Sequence, residues 1–232
     1  MTHAEVATPA GSSSLDGPAG VTVGQGAVRG STDHPDHPSL VLVRHGETEW
    51  SKSGQHTSRT DLPLTDVGEA AARALRPFLA DLLGAKPPAL ALSSPLVRAR
   101  RTAELAGIAV ELDDDLKEVD YGRYEGITTA EIRRHDPGWT VWSGAVPDGE
   151  TTAAAGHRVD RVLDRARAAL SDGPVIVFAH GHILRVLAAR WLGLPASEGR
   201  LFALSTATVS VLDTEHDSPV IRRWNMPAMG GP

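Results

Sequence analysis

Cysteine is absent from this chain of 232 residues. That absence excludes disulfides, zinc–thiolate sites, iron–sulfur clusters and thiol catalysis together. No run of about 18 apolar residues occurs, so no membrane-spanning helix and no membrane partner are expected. The amino terminus has no basic start followed by an apolar stretch, so no secretory signal is read there and a cytoplasmic location is expected. Net positive charge is lacking too. The formal charge is -6 and the isoelectric point about 5.9, which argues against nucleic acid as a partner. A Gly-x-x-x-x-Gly-Lys loop is also missing, which argues against a nucleoside-triphosphate site. What is present is 41% hydrophobic and 22% charged residues, enough for a globular core. An anion bound by such an acidic chain must be held by a local cluster of positive groups.

Residues 1–37 hold Gly-Ser-Ser-Ser, several Pro and Gly and almost no large apolar side chains, and read as a disordered tail. Residues 38–232 read as one folded domain. Leu40-Val41-Leu42-Val43 has the form of a buried strand. Thr65 or Asp66 caps a helix that ends at Gly84 and Pro87-Pro88. Leu90-Ala91-Leu92 reads as a strand, Pro95 to Ala106 as a helix, Leu116 to Ile127 as irregular, and Thr151 to Leu170 as a long helix. Val175–Ala179 is the strongest strand signal, followed by a helix from Gly181 to Leu192. Thr208–Leu212 and Val220–Trp224 complete the set. Alternating strands and helices imply an α/β fold with a mostly parallel central sheet and helices on both faces. Ligands of such sheets bind beyond the carboxyl ends of the strands.

The residues just after three strands therefore share one end of the sheet. They are Arg44-His45-Gly46-Glu47-Thr48, Ser93-Ser94-Pro95-Leu96-Val97-Arg98 and His180-Gly181-His182. Guanidinium groups bind phosphate oxygens bidentately, and helix N-termini offer N–H groups to anions. Two arginines, two histidines and two helix starts make a phosphate site. Histidine is also a competent nucleophile. A phosphoryl transfer through it needs an acid for the leaving alkoxide. Glu118 is the first choice for that acid, ahead of Asp120 and Glu125.

Leu42-Val43-Arg44-His45-Gly46-Glu47-Thr48-Glu49-Trp50 resembles the signature of the histidine phosphatase superfamily, the phosphoglycerate mutase-like proteins. Supporting blocks follow in the family's order: Thr65-Asp66-Val67-Gly68-Glu69-Ala70, Ser94-Pro95-Leu96-Val97-Arg98, Leu116-Lys117-Glu118 with Tyr121-Gly122-Arg123-Tyr124-Glu125-Gly126, Gly149-Glu150-Thr151 and Ala179-His180-Gly181-His182. The resemblance implies a single-domain three-layer sandwich with no required metal or other cofactor. It implies His45 as the phosphorylated nucleophile, with Arg44, Arg98 and His180 completing the phosphate pocket. It also implies Glu118 as proton donor and a backbone donor at Gly181. Within the family, the chain looks closer to the sedoheptulose-1,7-bisphosphatase type and the actinobacterial acid phosphatases. In that branch Gln55, His56, Thr57, Tyr121 and Arg185 match positions around the substrate.

The expected partner is thus a small phosphorylated metabolite of sugar-phosphate, sugar-bisphosphate or phosphoglycerate type. Assembly as a homodimer is left open, as are the roles of His182 and Arg59. The cofactor-dependent mutases of the family carry an Asn soon after the first-strand motif and a long insertion before the Gly-Glu-Ser block. Here Trp50 is followed by Ser51-Lys52-Ser53 and Gly149 comes early, which favours hydrolysis over mutase transfer. Two rivals remain: a metal site on His45, His180 and His182, and a phosphate-binding module without catalysis. Against the first, Arg44 and Arg98 would repel a cation. Against the second stand the intact nucleophile, acid and arginines.

Overall fold

The computed structural model describes residues 39–84 and 87–228. The expected disordered tail lies outside the described residues. Among the described residues six strands form one sheet: β1 (Leu40–Arg44), β2 (Leu90–Ser93), β3 (Glu111–Leu112), β4 (Val175–Ala179), β5 (Thr208–Glu215) and β6 (Ser218–Pro227). Their spatial order is β3-β2-β4-β1-β5-β6. The pairs among β3, β2, β4 and β1 are parallel, whereas β5 runs antiparallel to both β1 and β6. The sheet is therefore mostly parallel with an antiparallel edge, as expected of a large mixed sheet.

The helices are α1 (Glu49–Ser53), α2 (Asp66–Leu83), α3 (Val97–Leu105), α4 (Thr129–Ile132), α5 (Thr152–Ala169) and α6 (Gly181–Trp191). Strand side chains alternate between two cores. Val41, Val43, Ile176 and Phe178 pack with Leu75, Leu79 and Ala103 of α2 and α3. Leu40, Leu42, Val175 and Val177 pack with Val159, Leu163, Ile183 and Leu187 of α5 and α6. Both faces are covered, so β4, and β1 from Leu40 to Val43, are apolar at every position instead of alternating with polar residues. Among the described residues no helix is long and apolar enough to cross a membrane.

Local chemistry sets where these elements begin. The Thr65 hydroxyl accepts from Gly68 N–H and caps α2. The Thr151 hydroxyl does the same for α5 through Ala154 N–H. Thr48 and Ser51 form a reciprocal capping box on α1, and Gly54, at φ 82°, closes it in the left-handed region. Helix α3 starts two residues later than the sequence suggests. Leu96 has no capping side chain, and Asp61 Oδ1 accepts from Val97 N–H at 2.7 Å instead.

Candidate active site

The carboxyl ends of β1 and β4 open on a cavity of about 240 Å3. Its wall includes Arg44, His45, Gln55, His56, Thr57, Glu118, Tyr121, Gly181 and Arg185. The other two expected residues, Arg98 and His180, stand behind that wall, 1% and 0% exposed. The ring of His180 lies 5.1 Å from that of His45.

His45 directly follows β1 and is 5% exposed. Its Nδ1 lies 2.7 Å from the carbonyl oxygen of Gly46. A carbonyl only accepts, so Nδ1 carries the proton and Nε2 keeps the free lone pair. Burial holds the ring's pKa well below 6.5, and the charges of Arg98 and Arg44 push it the same way against the Gly46 contact. The backbone here is packed too tightly for other residues. A Cβ on Gly46 would meet the Gly68 carbonyl oxygen at 2.5 Å, and one on Gly68 would meet that of Glu47 at 2.2 Å. The Thr-Asp-Val-Gly block is thus the seat of the His45 loop, fixed further by the Thr65 N–H donating to the Glu47 carbonyl at 2.9 Å. Gly46 N–H donates to the Thr102 hydroxyl at 3.0 Å, which ties the same loop to α3.

Arg44 lies across the start of α6. A Cβ on Gly181 would sit 3.2 Å from its guanidinium carbon, so glycine lets the two approach. Arg44 donates from Nη1 to the Leu204 carbonyl. Its Nε has no partner, the one buried side-chain nitrogen or oxygen among the described residues of which that is true. A buried donor left unpaired is destabilising by about 1–3 kcal/mol. Arg44 and His45 nevertheless share the cavity wall, and a guanidinium beside a nucleophile suits an anion.

Arg98 is held from three sides. Nε donates to His180 Nδ1 at 3.0 Å, Nη1 to the Thr60 carbonyl at 3.1 Å, and Nη2 to the carbonyls of Thr57 and Ser58 at 3.2 and 3.3 Å. The loop making these carbonyls is clamped by Glu125. That carboxylate accepts from Ser58 N–H, the Ser58 hydroxyl and Thr60 N–H. Burial works against the Glu125 charge, but these hydrogen bonds outweigh it and lower its pKa. Glu125 therefore serves the loop and not the reacting group. Asp120, the other alternative acid, pairs with Arg59 and accepts from Gly122 N–H at 2.9 Å.

Glu118 sits on the first turn of α6. Oε1 accepts from Val119 and Ile183 N–H at 3.0 and 2.9 Å, and Oε2 accepts from His182 N–H at 3.0 Å. One oxygen is thus doubly bonded, while the other keeps a lone pair. The segment carrying Glu118 is pinned by Arg158, whose Nη1 donates to the carbonyls of Asp115 and Lys117 while Nε pairs with Glu150. That explains the Gly-Glu-Thr block: Glu150 orients Arg158, which fixes the loop of Glu118.

At the far end of the cavity His56 packs 4.6 Å from the Tyr121 ring, and its Nε2 meets the Thr129 hydroxyl at 3.2 Å. Gln55 donates to the Gly126 carbonyl at 2.6 Å. Arg185 stacks 4.5 Å over Trp142 and donates to the Gly199 carbonyl at 3.0 Å. Thr48, Trp50, Ser51, Gly54, Thr129 and Leu204 also form the wall and were not expected there. The Thr48–Ser51 capping box and Gly54 were the sequence signals that could have placed α1 at the cavity. His182, left open above, is on the wall.

A family model described as Histidine phosphatase superfamily (branch 1) matches residues 40–227. An acid phosphatase from Mycobacterium tuberculosis is 40% identical over 178 residues, covering 76% of this chain and 87% of that one. The sedoheptulose 1,7-bisphosphatase of Saccharomyces cerevisiae is 41% identical over 187 residues, covering 68% of each. Among solved structures, the product of a Mycobacterium tuberculosis open reading frame superposes with a TM-score of 0.79 at 37% identity, covering 82% of this chain and 98% of that one.

Proposed function

The chain belongs to the histidine phosphatase superfamily (branch 1) and is a phosphatase, and on that premise we propose that it hydrolyses phosphomonoesters of small metabolites through a phosphohistidine on His45. The observation that carries this reading is the guanidinium of Arg44 on the same cavity wall as a histidine whose Nε2 is free. A guanidinium so placed suits the oxygens of a phosphoryl group.

In the first step the His45 Nε2 lone pair forms a bond to phosphorus while the bond from phosphorus to the alcohol oxygen breaks. Glu118, protonated on the free lone pair of Oε2, gives its proton to the departing alkoxide. Arg44 and Arg98 offset the charge on the phosphoryl oxygens, the main requirement of such transfers, and His180 holds the Arg98 guanidinium in place through its Nδ1. In the second step Glu118 takes a proton from water, the water oxygen bonds to phosphorus, and the bond to Nε2 breaks. Phosphate leaves and His45 is neutral again.

The substrate class proposed is sugar phosphates and bisphosphates, supported by the relative that acts on sedoheptulose 1,7-bisphosphate. A phosphate-release screen over sugar phosphates, phosphoglycerates and phosphopeptides, run with a chelator present, tests the proposal. Turnover of sugar phosphates undiminished by the chelator is expected. Turnover that requires an added metal, or none at all, would refute it.

A further inference from the structure

Tyr121 and His182 stand on the cavity wall near Glu118, yet neither has a part in the steps above. Their side chains are joined: the phenolic oxygen and His182 Nδ1 are hydrogen-bonded. Tyr121 is 2% exposed. Burial, and then the charge of Glu118, push its phenol well above 10.0, so the oxygen keeps its proton. That proton has no other acceptor among the described residues, and buried O–H groups take an acceptor within reach. It therefore points at Nδ1, which must be the unprotonated nitrogen of the ring. Burial, followed by the charges of Arg185, His56 and Arg44, keeps the ring from taking a second proton. What remains is Nε2–H, an uncharged donor with no protein partner among the described residues.

The position of that donor is fixed as well. His182 N–H donates to Glu118 Oε2 at 3.0 Å, the oxygen assigned above to protonate the leaving alcohol. Its ring meets Trp142 edge-on at 5.2 Å and has His56 6.1 Å away on another side. His182 thus stands on the cavity wall beside Glu118, the group assigned above to the leaving alcohol.

We propose that His182 is a specificity-determining residue whose Nε2–H binds an oxygen of the leaving alcohol near the ester bond, with Tyr121 as its positioning residue, so that the site selects phosphomonoesters of polyhydroxy alcohols over aryl and simple alkyl esters. The inference rests on the phosphatase reading and narrows its substrate class. A hydroxyl oxygen accepts from the neutral N–H, and the rigid ring keeps the donor in place before substrate arrives.

The experiment compares kcat/KM for a sugar phosphate, for its analogue lacking the hydroxyl beside the ester, and for para-nitrophenyl phosphate. It does so in the wild-type chain and in Tyr121→Phe, His182→Gln and His182→Leu. The wild type is expected to prefer the hydroxylated ester over the deoxy analogue by about tenfold, the worth of one hydrogen bond to a neutral donor. That ratio should fall to about 1 in His182→Leu, fall partly in Tyr121→Phe, and stay highest of the three variants in His182→Gln, which keeps an N–H. A ratio unchanged in His182→Leu would overturn the inference. Equal losses on all three substrates would do so too, since they would show a structural role only. A wild type that turns over none of the esters would instead refute the phosphatase reading, and this inference with it.

Discussion

Arg98 Nε donates to His180 Nδ1 at 3.0 Å, and that bond decides how the phosphoryl end is wired. An arginine cannot accept, so Nδ1 is the acceptor and the proton of His180 sits on Nε2, 2.7 Å from the Ser94 hydroxyl. Burial, then the Arg98 charge, hold the pKa of His180 well below 6.5, which keeps the pair in this form. Two residues behind the cavity wall therefore act as one unit.

Arg98→Ala breaks that unit and removes a buried cation. The expected loss in kcat/KM is about 10²–10³, the scale of one donor to a developing charge. Inhibition by inorganic phosphate should weaken in parallel. Steady-state kinetics with phosphate as inhibitor checks this. A variant with normal phosphate inhibition would mean that Arg98 serves only the loop at 57–60.

Glu118→Gln should separate esters by leaving group. Poor leaving groups need the proton, and their rates should drop about 10²–10⁴-fold, the range for general acid catalysis. Para-nitrophenyl phosphate should lose much less. Rate constants across a series of alcohols of graded acidity measure the difference. Equal losses along the series would assign the proton to another group.

Among the described residues the histidines His45, His56, His180 and His182 have lowered pKa values, with loss of solvent the largest cause in each. In the unfolded chain they take protons near pH 6.5. Below that pH the unfolded state binds more protons than the folded one, so stability falls as the pH drops and rises as it climbs back. Each such histidine steepens the dependence by at most about 1.4 kcal/mol per pH unit within this window. Urea unfolding between pH 7 and 5 should show the decline, and His182→Gln should make it shallower. The same shift keeps His45 unprotonated in mild acid, so the acid limb of kcat/KM should lie below pH 6.5.

Gly68→Ala tests the seat of the catalytic loop. Its Cβ would lie 2.2 Å from the Glu47 carbonyl oxygen and 2.7 Å from Glu47 N. The start of α2 and the loop after His45 must then part. A stability loss of about 1–3 kcal/mol is expected from such overpacking, with kcat falling because His45 moves. Denaturant midpoints and kcat on one sample read both effects. Unchanged activity would mean that the contact is slack.

The sequence disclosed this architecture where burial leaves a one-dimensional trace. Val175–Ala179 reads as a strand to the residue because both of its faces are covered. The two-residue strand Glu111–Leu112 leaves no trace, being short and exposed. Helix α1 has no buried residue, so only its caps could have signalled it. In the site, the residue types that meet phosphate are legible after each strand. Partners set by the tertiary fold are not. Three loop carbonyls on Arg98 cannot be seen in a string of side chains, nor can the Tyr121–His182 bond across 61 positions. Glu125 reads as a spare acid in the sequence, because its partners, Ser58 and Thr60, are brought to it only by the fold.

The central claim concerns one ring nitrogen. Rapid acid-free quenching during turnover of a ³²P-labelled sugar phosphate, followed by peptide mapping, reads it directly. The account predicts a single acid-labile, base-stable phosphoryl group on His45, absent from His45→Ala, which should also lack turnover. Label on another residue, or normal rates with no label on the protein, would contradict it.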